Sequence, residues 1–70
     1  MVSVLIDALE YQLNACRNAK SKEEQRLIAE RAFGAAQYHI LLFPSSQNKV
    51  GSLWETYKPR FEEIISKNNT

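Results

Sequence analysis

Three stretches of this 70-residue chain repeat apolar residues at alternating steps of four and three. They are Val2, Ile6, Leu9, Leu13, Cys16; then Ala29, Phe33, Ala36, Ile40, Phe43; then Val50, Trp54, Tyr57, Phe61, Ile64. On an α-helix that spacing lines five side chains along one stripe, and a stripe in water needs a surface to bury it. Three stripes in one short chain predict an all-α fold, a small up-down-up bundle of three helices forming one domain over residues 1–70.

The punctuation between the stripes sets the expected boundaries at about 3–17, 22–43 and 47–66. Ser3 stands where it can cap the first helix, with Asp7 and Glu10 toward its positive end and Arg17 toward its negative end. Ser21-Lys22-Glu23-Glu24 is an S-x-x-E capping box, so the second helix is expected to begin at Lys22. Pro44 disfavours helical geometry in the residue before it and ends that helix at Phe43. Pro44-Ser45-Ser46-Gln47-Asn48 reads as the second turn, with Ser46 as the cap of a third helix that takes in Val50 and Gly51. Pro59 falls inside that helix, where it removes a backbone bond and crowds the carbonyl four residues back, so a kink or break is expected near Lys58-Pro59. The tail at 68–70 is expected to fray.

The first turn is short, so helices one and two should pair as an antiparallel hairpin in which position numbers sum to about 41, Cys16 beside Gln25. The same arithmetic about the second turn sums to about 92 and puts His39 near Leu53 and Trp54, and Gly34 near Lys58-Pro59. Gly34 is then expected to let the third helix approach closely.

Composition narrows the chemistry. Nine Lys and Arg against eight Asp and Glu leave a formal charge of +1, too close to neutral to bias the chain toward phosphate backbones or acidic membranes. One cysteine cannot form an internal disulfide, and one Cys with one His gives no zinc ligand set, so no metal and no cofactor is expected. Cys16 and His39, each the sole residue of its type, are separated in the expected hairpin by about 21 Å at 1.5 Å per residue, which excludes a nucleophilic pair. Glu23/Glu24 and Glu62/Glu63 are neighbours in sequence and point about 100° apart on a helix, so neither pair flanks one substrate atom. No phosphate-binding, nucleophile-elbow or calcium-loop motif is present, and no enzyme is expected.

Surplus apolar surface remains. Helix two carries a second stripe, Ile28, Ala32, Ala35, His39, Leu42, and helix one adds Leu5, Ala8, Tyr11 and Ala15. A helix apolar over more than half its circumference is central in its bundle or docked on another chain. The expected function is therefore a small cytoplasmic, non-catalytic protein-interaction or assembly module that self-associates, since no basic leader or apolar span opens the chain. Its candidate surface consists of the amphipathic rings Tyr11, Tyr38, His39, Trp54 and Tyr57. The alternative is a small regulator touching nucleic acid through Lys49, Lys58, Arg60 and Lys67, against which Glu55, Glu62 and Glu63 interleave with those cations.

Overall fold

A computed structural model describes residues 2–68 of the chain. Three helices, α1 (Val2–Asn18), α2 (Lys22–Leu42) and α3 (Gln47–Ser66), form an all-α bundle in which each touches the other two, and a single 3-10 turn at Pro44–Ser46 leads into α3. The result is a rod of 40 × 16 × 15 Å.

α1 begins at Val2, so Ser3 lies inside the helix rather than capping it. Ser21 caps α2 as expected: it is extended, and its Oγ accepts a hydrogen bond from the Glu24 amide at 3.1 Å, which is the first half of the capping box. α2 stops at Leu42, where Phe43 leaves the helical region and its amide closes the last turn on the His39 carbonyl at 2.9 Å. Pro44 opens the 3-10 turn, where a missing N–H costs nothing. Ser46 precedes α3 but makes no side-chain cap; its hydroxyl donates back to the Phe43 carbonyl at 2.6 Å.

The helical assignment of α3 continues on both sides of Pro59. Pro59 and Glu55 are both exposed, so the turn that loses a backbone bond lies at the surface, within reach of water. Of the tail expected to fray, Asn68 donates from Nδ2 to Gln25 Oε1 at 2.9 Å, and Asn69 and Thr70 lie outside the described residues.

The core is Leu5, Leu9, Leu13 and Cys16 of α1, Ile28, Ala32 and Ala36 of α2, and Val50, Tyr57 and Phe61 of α3. The α3 stripe is the expected one, with Trp54 and Ile64 half-buried beside it. On α1 the inward stripe starts at Leu5, leaving Val2 half-buried and Ile6 at the surface. α2 differs most. Its buried line is Gln25, Ile28, Ala32, Ala36, which runs between the two expected stripes, and Phe33 and Leu42 stand half out in water. Small side chains on that line let α1 and α3 close over α2, and the larger ones are displaced to its flanks.

Gly34 is not at a close approach. It is exposed, and a methyl group placed on it meets nothing within 4 Å; the same holds for Gly51. Trp54 is not beside His39 either. Its ring packs on Phe33 at 5.4 Å and on Phe61 at 6.0 Å between centroids, whereas His39 packs on Phe43 at 5.0 Å.

Candidate protein-interaction surface

The hairpin register comes from one reciprocal contact. Gln25 Nε2 donates to the Cys16 carbonyl at 2.9 Å, and Cys16 Sγ donates to the Gln25 carbonyl at 3.7 Å. Positions of α1 and α2 therefore pair at a sum of 41, as the sequence predicts. Cys16 is fully buried there, and burial pushes its thiol above the ordinary value. His39 lies fourteen residues further along α2, about 21 Å away at 1.5 Å per residue, so the two side chains occupy opposite ends of the hairpin.

With that register, the flanks of α1 and α2 turned away from α3 meet along a common face. Val4, Leu5 and Ala8 of α1 and Ala35, Tyr38, His39 and Leu42 of α2, with Phe43, line a groove of about 350 Å³. Tyr11 continues the α1 flank three residues beyond Ala8, and Arg31 and Leu27 continue the α2 flank at steps of four before Ala35. Val4 is 71% exposed, Tyr11 72%, Tyr38 61% and Leu42 54%. Large rings and branched chains rim the face, and the alanines form its floor.

His39 sits at the inner edge of that groove. The Ser46 hydroxyl spends its proton on the Phe43 carbonyl, so at 3.3 Å from His39 Nδ1 it accepts, which places the imidazole proton on Nδ1. Nε2 is left buried with no hydrogen-bond partner among the described residues.

The five expected ring residues thus separate. Tyr11, Tyr38 and His39 belong to the α1–α2 face. Trp54 lies on the opposite side of α2, in a second groove of about 490 Å³ with Ala29, Phe33, Phe61 and Ile65, bordered by Arg26, Glu30, Lys58 and Glu62. Tyr57 is 5% exposed and ties α3 to α1: its hydroxyl donates to Glu10 Oε2 at 2.5 Å, and Arg60 reaches the same oxygen at 3.1 Å while its guanidinium lies 5.0 Å over the Tyr57 ring. The Tyr57 hydroxyl and the Arg60 guanidinium hold the Glu10 carboxyl below its ordinary range, and the Glu10 carboxylate raises the Tyr57 phenol.

Of the four cations of the alternative reading, Lys49, Arg60 and Lys67 stand eleven and seven residues apart and share one side of α3. Arg60 is committed to Glu10, Lys67 pairs with Glu63 at 3.7 Å, Lys58 borders the α2–α3 groove, and Lys49 stands exposed in the first turn. Lys58 projects about 160° from Arg60 and leaves that line, and of the three cations on it two are already paired with carboxylates.

The exposed aliphatic residues Val4, Leu41 and Leu42 are what sequence reasoning passed over in favour of rings. For Leu42 the signal was present in the second α2 stripe, which ended on it, whereas Val4 and Leu41 lie on none of the stripes. Among the described residues, no three His, Cys, Asp or Glu side chains gather around a point where a metal ion would fit, and no helix is long and apolar enough to cross a membrane. Comparison with protein-family models, with curated proteins and with solved structures gives no match to this chain.

Proposed function

We propose that this chain is a small non-catalytic interaction or assembly module whose docking surface is the face shared by α1 and α2. One observation carries the reading: Val4, Tyr11, Tyr38 and Leu42 stand more than half exposed along one continuous face. At about 150–250 Å² per ring, the two tyrosines alone leave roughly 250 Å² uncovered. Val4 and Leu42 bring the face to the order of 500 Å², the upper end of what a monomeric protein leaves bare. Tyrosine is also the ring best suited to such a place, since it joins a large apolar area to a hydroxyl that tolerates water.

A catalytic role has less to stand on. The thiol and the imidazole are at opposite ends of the hairpin, and the most strongly engaged carboxylate, Glu10, is occupied in holding α3 to α1. A cytoplasmic, reducing setting belongs to the same proposal and rests on the lone buried thiol of Cys16.

Photo-cross-linking in the cells that make the protein tests the reading. A photoreactive residue at position 38 should give discrete adducts, and the same residue at exposed Glu23 on the outer side of α2 should give none. Equal labelling at the two positions, or none at 38, would refute the docking face.

A further inference from the structure

We infer that the α1–α2 face is covered by a second copy of this chain, related by a two-fold axis running parallel to the helices. The inference rests on the interaction reading above and adds the identity and register of the partner. A two-fold axis in that direction lays α1 of one copy antiparallel on α2 of the other and keeps every residue at its own height along the rod. Heights are fixed by the Cys16–Gln25 contact, which pairs positions summing to 41.

Reading across one or two residues from that sum, at 42 or 43, Ala15 meets Leu27 of the second copy, Tyr11 meets Arg31, Ala8 meets Ala35 and Val4 meets Tyr38. Leu27 at one end faces an alanine, the two alanines at the middle permit close approach, and the aliphatic Val4 faces a ring. Arg31 is the one charge in these two stripes, and it falls on the face of Tyr11, where a guanidinium is attracted rather than stranded. The face is therefore complementary to itself, which a two-fold contact requires.

Area supports the same occupant. A stable pair buries about 800 Å² per partner. The exposed large residues of the face supply on the order of 500 Å², and Leu27, Leu41 and the intervening alanines and polar rim extend it on both sides. A lone helix seated in the groove would cover its floor and leave the outward rings of Tyr11 and Tyr38 wet, whereas a two-helix partner covers both.

The test is molar mass by light scattering on the purified full chain, with circular dichroism as the control for folding. At about 100 μM the wild type is expected at twice the 8.1 kDa chain mass. Tyr11→Arg sets two guanidinium groups against each other and should halve the mass with helicity retained, since Tyr11 is exposed in the folded chain. Tyr38→Arg, at the other end of the face, should do the same. Tyr11→Arg combined with Arg31→Glu restores an opposite-charge contact and should restore the doubled mass. A wild type of single-chain mass, a Tyr11→Arg variant that stays doubled, or a combined variant that stays single each overturns the proposal. The interaction reading is judged separately, because adducts at position 38 to a different protein would uphold it while the second copy fails.

Discussion

Gln25, the one polar residue buried among the described residues, joins Cys16 across the first turn: the amide of one and the thiol of the other each reach the partner's backbone carbonyl. Gln25 Oε1 also accepts from Asn68, so one residue joins the ends of α1, α2 and the chain's last described turn. Gln25→Leu, which looks favourable by hydropathy, leaves the Cys16 carbonyl only the Ala19 amide at 3.3 Å and should cost about 0.5–1.5 kcal/mol for the lost hydrogen bond. Urea unfolding of the variant against the wild type measures it, and an unchanged midpoint would show that the amide contributes nothing.

Glu10 makes the fold acid-sensitive through the α1–α3 contact. Its carboxyl is held below the ordinary value by Tyr57 and Arg60. A depressed folded-state pKa means that the stabilisation is present above the unfolded carboxyl pKa, about 4.3, and is lost as pH falls through the folded value. Tyr57→Phe should therefore flatten the acid limb of a stability-against-pH curve. The raised Tyr57 phenol has the opposite sign. Its contribution is complete below about pH 10 and fades as the phenol ionises, so the alkaline limb should flatten in the same variant.

Gly34→Ala and Gly51→Ala should both stabilise. Neither methyl meets another atom within 4 Å, and each replaces a poor helix former by the best one. The gain is up to about 1 kcal/mol apiece, or roughly 4–8 °C in the melting temperature of a chain this size. A fall in either melting temperature would show an unrecognised close contact.

Ala32 should resist enlargement. It is fully buried on the line of α2 that α1 and α3 close over. Ala32→Leu should cost about 1–3 kcal/mol by overpacking, while Phe33→Leu, at a half-exposed neighbour, should cost less. Comparable losses at the two positions would mean that α2 is rotated from the orientation described.

The helix count, the Ser21 cap, the turn at Pro44 and the register of the α1–α2 hairpin were legible in the sequence because each is a local signal with a fixed spacing. The orientation of α2 was not. Its stripes 29/33/36/40/43 and 28/32/35/39/42 are both apolar, so periodicity alone has no means of choosing between them. The choice is made by volume, which admits Ala32 and Ala36 where Phe33 does not fit, and by Gln25, a polar residue whose burial depends on a carbonyl supplied by α1. The readings of Gly34 and of Trp54 failed on register instead: Phe33 packs on Trp54, so α2 and α3 pair there at a sum of 87 and not 92. Tyr57 lies on the α3 stripe and Tyr38 on neither α2 stripe, which already separates the two rings; what the sequence did not show is Glu10, 47 residues away, as the partner of the Tyr57 hydroxyl.

Thermal unfolding at two concentrations bears most directly on whether the α1–α2 face is completed by another copy. Association restricted to folded chains raises the melting temperature with concentration. Between about 5 and about 500 μM, the midpoint of the wild type should rise while that of Tyr11→Arg stays fixed. Superimposed wild-type melts across that range would contradict the account.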